Sequence, residues 1–459
     1  MKQTIGNALR IGLLTGLLAV VLCGSAFALT EGDWEFQLLN NEAQITDYHG
    51  SGGNVVVPST LRGATVTELK GFNMFARKAT SLTIPGTIKN IEVGAHYGWE
   101  ELESLTLGEG VQSIDGCILQ EYPNLRSVSL PSTLKKLGAH TFRNTGISQI
   151  KLPAGLESIG EHAFEGSSLK SVDLSGLRSV TLGTACFESC KNLKSIILPG
   201  NLTTIPQSFV EYCENLTSID IPASVTTIKN LAFAHCGLTE VYLPTGLKSL
   251  GAGSFNNNPL TEVIVPYGVT DCSSGGKYHY GVFDYCPNLQ AVYIPDTVKS
   301  MPLNIISDSP DAIIYCGAGS YAAEFCKKNS ISYLTDSSVN SSIHVVYNGK
   351  RISFGATGQN PVIENGRTLV PLRAIFETMG ATVGWNDATR TVTATRGGDT
   401  IQLTLGDKTL YKNGKAVMTM DVPAKSLNGR TVVPARAVAE AFGAQVGWIN
   451  SARIVTITE

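Results

Sequence analysis

The chain has 459 residues, 43% of them apolar, 16% charged and 7% aromatic, with a formal net charge of −3. That length supports two or three domains, and that composition excludes both a disordered chain and a membrane-embedded one.

Residues 1–28 read as a secretory signal. Lys2 and Arg10 give a basic start, Ile11 to Cys23 an apolar run, and Ala26, Phe27 and Ala28 a small-residue cleavage site, so the mature chain is expected to begin near Leu29. The apolar run is shorter than the ~20 residues of a membrane span. Leu22 stands before Cys23 where a lipoprotein signal has a small residue, and no LPxTG sorting signal closes the chain. Export is expected, with the means of retention open. Ten cysteines are present and loss of Cys23 leaves an odd number, which rules out a full internal disulfide framework. Cys190, Cys213, Cys236 and Cys286 each follow a Phe by three or four residues. They read as repeat positions where a thiol serves as a small hydrophobe. Cys316 and Cys326 are the pair to test for a bridge.

Residues 29–81 alternate in the manner of strands and are punctuated by glycine: WEFQLL, AQITDY, GSGG, VVVP. They form a hairpin and a first imperfect repeat, capping the exposed end that any solenoid must cover. Trp34 and Phe36 belong to the core of that cap.

From Leu82 to Pro295 one phrase recurs, LxxIxLPxxLxxIxxxAF. Its dyad residue falls at Ile84, Leu107, Leu130, Leu152, Leu174, Leu198, Ile221, Leu243, Val265 and Ile294, in steps of 22 to 24 residues with a last step of 29. A period of this length with apolar LxxIxL spacing predicts a leucine-rich-repeat solenoid, residues 82–311, of about ten to eleven coils with short parallel strands on the concave face. Phe142, Phe164, Phe187, Phe209, Phe233, Phe255 and Phe283 are expected to form an aromatic spine on the return side. The LPxxLxxIxxxAFxxC wording, with Pro after the strand and without the common Asn, resembles the BspA-like, or Treponema pallidum-type, leucine-rich repeats of bacterial surface proteins. That resemblance implies adhesion to host or matrix proteins or to other cells.

Two places in the solenoid are candidates for partner binding. The strand position before the dyad points to the concave side because strand side chains alternate, and its later members, Ile197, Tyr242, Ile264 and Tyr293, suggest an exposed apolar and aromatic patch. The insertion at residues 271–280 is the second, with Tyr278, His279 and Tyr280 on a Gly-rich loop. Cys117, His140 and His162 each lie ten residues after a dyad leucine, but this slot reads as a turn without a supporting carboxylate, so neither a metal nor a cofactor is expected.

Residues 312–334 form a strand, helix, strand cap in which Ser320 starts the helix. Residues 335–342 are a polar linker. Residues 343–459 contain a duplication, RTLVPLRAIFETMGATVGW from Arg367 and RTVVPARAVAEAFGAQVGW from Arg430, 63 residues apart. Pro371 and Pro434 open short helices, and Gly380 and Gly443 end them. Arg373 and Arg436 are placed to pair with Glu377 and Glu440 four residues on. This text resembles the copper amine oxidase N-terminal-like, or stalk, domain, a small duplicated α+β module. The oxidase's catalytic tyrosine motif and copper histidines are missing from it.

Residues 343–459 carry thirteen Lys and Arg against eight Asp and Glu, whereas residues 29–342 carry twenty against thirty. A basic module behind an acidic solenoid suits attachment to an anionic wall. Together these observations predict a non-enzymatic bacterial surface protein that recognises a protein or glycan, tethered or spaced by its C-terminal domain. An envelope-organising structural protein is the alternative. Nucleic acid is not an expected partner.

Overall fold

The computed structural model describes residues 28–70, 79–92, 101–116, 119–274, 280–355, 358–450 and 452–459. The expected signal segment up to Phe27 lies outside the described residues, as do Cys117, Tyr278 and His279.

The N-terminal cap is a five-stranded sheet. Trp34–Leu39 pairs antiparallel with Glu42–Tyr48, Leu29–Glu31 holds one edge, and Ala64–Leu69 with Thr60–Leu61 completes the other. Phe36 is fully buried, and Trp34 lies on Tyr48 with ring centroids 4.7 Å apart.

Behind the cap runs a β-solenoid of about twelve turns. Each regular coil has three sides. The LxxIxLP segment forms one parallel ladder, seen in Ala79–Ile84, Ser104–Leu107 and Ser127–Ser129 and again in Glu262–Ile264, Ala291–Ile294 and Ile313–Cys316. The following LxxI segment forms a second ladder, through Asn90–Glu92, Ser113–Asp115, Lys136–Leu137, Ser158–Ile159 and Thr181–Leu182, then Thr204–Ile205, Thr227–Ile228 and Ser249–Gly251. The repeat predicts one strand per coil; the second is only two or three residues long, too short for an alternation signal, and it exists because stacked coils supply its hydrogen bonds. The backbones meet closely beside this ladder. A Cβ on Gly160 would stand 2.5 Å from the Gly138 carbonyl carbon.

The third side is a turn in which two residues four apart take left-handed φ, as in His140 and Asn144, His162 and Gly166, or Ser208 and Tyr212. The spine rings point inward between them and all seven are fully buried. Phe142, Phe164 and Phe187 stack at 5.4 and 5.3 Å, and Phe233, Phe255 and Phe283 at 5.3 and 5.9 Å. Phe209 departs from the expected spine. The Phe187 N–H donates to the Phe209 carbonyl just as the Phe164 N–H donates to Cys186, so Phe209 stands in the column of Cys186 and meets Phe187 edge-on at 5.7 Å. Val210 fills the Phe column instead.

The eight described cysteines are buried and free, Cys316 and Cys326 included. The repeat thiols do more than fill space. Cys190, Cys213, Cys236 and Cys286 each donate Sγ–H to a backbone carbonyl of the preceding coil, respectively Phe164, Phe187, Val210 and Phe255, at 3.1 to 3.4 Å. Asn258 and Ser309 take over that duty in other coils, on Phe233 and Phe283. Burial pushes the Cys236 and Cys286 thiols up to about 12, so they remain protonated.

The solenoid closes with helix α1, Tyr321–Asn329, whose Ser320 Oγ accepts from the Ala323 N–H at 3.2 Å, and with strand Tyr333–Thr335. Among its described residues the C-terminal domain holds three sheets and two short helices, α2 (Leu372–Thr378) and α3 (Ala435–Ala441). Its two copies meet through Arg367–Pro371 and Arg430–Pro434, paired antiparallel. Both i,i+4 pairs form, Arg373–Glu377 at 3.3 Å and Arg436–Glu440 at 3.5 Å. Among the described residues no helix is long and apolar enough to cross a membrane.

Candidate functional site

The dyad strands bring the candidate column together in space, since Ser171–Asp173 pairs in register with Ser195–Ile197, and Glu262–Ile264 with Ala291–Ile294. The column then divides. Thr106, Ser129, Lys151, Asp173, Ile197 and Asp220 face solvent, with Ile197 55% exposed. Tyr242 and Ile264 are half-buried, and Tyr293 is only 7% exposed. The exposure expected of these three is absent because the C-terminal domain lies on them. Tyr242 and Ile264 pack against Val346, Ala452 and Ile454, while Tyr293, Ile264 and Tyr315 pack around Val339. A strand favours aromatic and β-branched residues whatever lies above it, so their spacing could not tell an open face from a covered one.

Arg351 closes this joint. Its side chain is 1% exposed and pairs with Asp336 at 3.1 Å. It also donates to the Ser338 carbonyl at 2.6 Å and to His344 Nδ1 at 3.1 Å, and its guanidinium lies 4.5 Å from the Tyr293 ring centre. Its backbone N–H donates to Glu262 Oε2 of the solenoid at 2.7 Å. Burial, then the Arg351 charge, lowers His344 to about 3, which keeps it a neutral acceptor. The polar linker is part of the same joint: Asn340 donates to Asp296 Oδ2 and accepts from the Asp296 N–H, both at 2.9 Å.

The turn side carries the exposed aromatics that the dyad column lacks. Tyr212, His235 and Tyr285 occupy the second left-handed position of their coils, with φ of 61°, 54° and 54°. Glycine or asparagine would sit there with less strain. Tyr212 is 38% and Tyr285 50% exposed, and the His235 ring stacks on Tyr212 at 4.4 Å. Tyr280 is 45% exposed and lies against Gly253. Burial raises the Tyr212 phenol with help from Glu211, Glu188 and Tyr280, and Asp308 raises the Tyr285 phenol. Sequence reasoning missed Tyr212, His235 and Tyr285 because the spine Phe drew the eye; the signal available was a bulky residue directly before the repeat Cys.

One position earlier in each coil stands a column of charge, Arg143, Glu165, Glu188 and Glu211. Arg143 Nε donates to Glu165 at 2.9 Å, and His162 Nδ1 lies 2.8 Å from Glu165 and 3.6 Å from Glu188. His140 and His162 do align in successive coils, ring on ring at 5.0 Å. His162, Glu165 and Glu188 could offer a metal one nitrogen and two carboxylate oxygens within 4.8 Å, but Arg143 already supplies a cation to Glu165, and the group is complete as an ion-pair column.

Glu188 is pushed up to about 6, first by burial and then by Glu211 and Glu165, against the pull of His162 and Arg143. A raised carboxyl stabilises the fold fully below its unfolded value, and that contribution is lost as pH rises through about 6. The shift corresponds to about 2 kcal/mol, and screening at a site that still sees solvent leaves about 1 kcal/mol. Glu188→Gln is therefore expected to melt higher than the parent at pH 7.5 and level with it at pH 4, and an offset of equal size at both pH values would contradict the assignment.

Stacked parallel ladders closed by a turn column define the class, a leucine-rich-repeat solenoid. The chain belongs to the family of the BspA type leucine rich repeat region, whose model matches residues 70–181 and 180–312 in six copies. The copper amine oxidase N-terminal domain model matches residues 346–457. Among solved structures, a leucine-rich repeat protein from Bacteroides ovatus is 21% identical with a TM-score of 0.51, covering 63% of this chain and 85% of its own. A leucine rich cell surface protein from Faecalibacterium prausnitzii is 22% identical with a TM-score of 0.35, over 67% of this chain and 98% of its own. The leucine rich repeat protein of T. pallidum is 23% identical with a TM-score of 0.34, over 46% and 89%. No curated protein matches the chain.

Proposed function

We propose that the protein is a secreted bacterial surface-recognition protein whose solenoid captures a partner protein through its turn side, while residues 343–459 hold it at the wall. The carrying observation is the aromatic set on the turn side, with Tyr212, Tyr280 and Tyr285 exposed, His235 half-buried, and Tyr212, His235 and Tyr285 at strained left-handed positions. Tyrosine gives large contact area at small entropic cost, and a residue that local backbone preference opposes marks a position kept for another reason. Glu188, Glu211, Asp284 and Asp308 lie beside the rings, and burial with the Asp308 charge lifts Asp284 to about 6. Carboxylates gathered beside aromatic rings favour a partner with a cationic surface. In this reading the chain acts by binding.

The test is capture of a panel of matrix proteins by the full chain and by a Tyr212→Ser, Tyr280→Ser, Tyr285→Ser variant, with Ile197→Ser as the strand-face comparison. The triple variant is expected to lose at least tenfold in affinity, with a salt-dependent remainder. Equal loss from Ile197→Ser alone would move recognition to the open strand face. Binding to walls and to no protein would instead favour the envelope-organising reading.

A further inference from the structure

The C-terminal domain contains a cleft of about 650 Å³ that the solenoid does not cover, within the range of small-molecule sites. Its walls come from both copies of the duplication. Ile363 to Thr368 and Met418 to Asp421 form one side, and helix α3 with Val446 to Trp448 forms the other. Trp448 is 41% exposed, and its indole N–H is held by Asn450 Oδ1 at 3.3 Å, which fixes the plane of the ring. Trp385 is its counterpart in the first copy, equally exposed and tied to Asp387 at 2.6 Å, but it does not line this cleft. The two tryptophans therefore share a strand position and differ in what surrounds them.

Around Trp448 the polar groups come in opposite-charge pairs. Arg367 pairs with Asp421, and Arg436 with Glu440 at 3.5 Å, all partly open to solvent. Two cations and two carboxylates leave the lining neutral, although the domain as a whole is basic. An anionic polymer would meet as many carboxylates as guanidinium groups there, and a purely apolar peptide would strip water from four charges without replacing it. A sugar suits both features. Its C–H face lies flat on an indole, and each ring hydroxyl both donates and accepts, which matches an arginine and a carboxylate side by side. The aliphatic floor of Val446, Val455 and Met420 completes a surface of apolar base and polar rim.

We infer that this cleft binds a neutral glycan chain, of hexose or N-acetylhexosamine units, with Trp448 as the stacking platform and Arg367, Asp421, Arg436 and Glu440 as hydroxyl partners. The inference gives chemistry to the wall-holding role of residues 343–459 and rests on that role for its biological meaning, but not for its test. Full-length protein would be titrated with tetrasaccharides of β1,4-N-acetylglucosamine, β1,4-glucose and α1,4-glucose, and with tetragalacturonate as the anionic comparison, read by calorimetry and by tryptophan fluorescence. At least one neutral oligosaccharide is expected to bind saturably and to exceed tetragalacturonate. Trp448→Ala is expected to weaken it at least tenfold and Trp385→Ala less than twofold. Binding by no neutral sugar, equal loss from both tryptophan variants, or preference for tetragalacturonate would each overturn the inference. Because both tryptophans sit at equivalent exposed strand positions, unaltered melting of Trp448→Ala beside Trp385→Ala separates lost binding from lost fold; if Trp448→Ala unfolds, Glu440→Gln with Arg436→Gln carries the same expectation. Whole-wall binding that survives in Trp448→Ala would leave the tether standing and remove the glycan cleft from it.

Discussion

Arg351→Ala is expected to destabilise the chain by about 3 to 5 kcal/mol, the loss that follows when one partner of a buried ion pair is removed and the other charge stays behind. Asp336 is that other charge, 8% exposed at its side chain. The Ser338 hydroxyl and backbone N–H, then the Arg351 charge and the Ser353 hydroxyl, hold its carboxyl below the ordinary range against burial, and the three hydrogen bonds remain when the guanidinium is gone. The substitution also takes the cation off the Tyr293 ring and uncouples His344. The expected signature in calorimetry is a single transition that divides in two as the C-terminal domain leaves the solenoid, with a gain of exposure at Tyr293 and Tyr242 in a labelling experiment. An Asp336→Asn, Arg351→Met double variant should lose less than the two single effects added together, since neither leaves a buried charge behind. A loss under about 1 kcal/mol for Arg351→Ala, with Tyr293 still protected, would mean that the apolar contacts alone hold the joint.

Phe164→Ala carries the second large effect. Phe164 is fully buried between Phe142 and Phe187, its ring nearly parallel to the latter at an interplanar angle of 3°. Truncating a buried Phe costs about 3 to 5 kcal/mol in transfer and cavity terms, and the two ring contacts lie within that loss. Because each coil touches only its neighbours, the damage should remain local. Hydrogen exchange should quicken from Phe142 to Phe187 and stay slow in the coils beyond Phe233. Phe209 provides the comparison. It stands in a column filled in the neighbouring coils by the small residues Ala163, Cys186 and Ala232, and touches Phe187 by its edge. Phe209→Leu is therefore expected to be milder than Phe164→Leu in chemical denaturation; equal losses would mean that the column change is of no energetic consequence.

The solenoid was legible because its apolar residues do one job ten times over. The repeated Leu and Ile of the dyad, the spine Phe and the Pro that ends each strand state the period directly, and Ser320 announces the closing helix by its cap. Phe209 misled because register within a coil is set by which carbonyl its neighbour offers, and an adjacent Phe and Val can exchange places without changing the pattern of apolar residues. The repeat Cys shows in the sequence only as a small apolar residue for a related reason. Its hydrogen bond reaches a carbonyl 26 residues earlier in the chain, as in Cys190 to Phe164, a distance at which no local pattern is visible.

The candidate site was legible only in part. Asp173 pairs in register with Ile197, and Ile264 with Tyr293, as strand alternation requires. Whether the candidate column meets solvent is a question about what lies above it, and Arg351, Asn340 and Val346 answer it from beyond the linker. The aromatic turn column ran in the opposite direction: each Tyr or His was plain in its own coil, and only stacking set Tyr212 against His235.

By itself, then, the sequence determined the period, the kind of coil, the capping helix and the duplication of the second domain, because each is written either within one short segment or as text that recurs along the chain. The tertiary structure alone decided the second strand ladder, the covering of the late strands by the C-terminal domain, the charge column and the cleft around Trp448. All four are made where chain segments far apart in sequence come together, and burial and hydrogen bonding there are properties of the pair that neither segment carries alone.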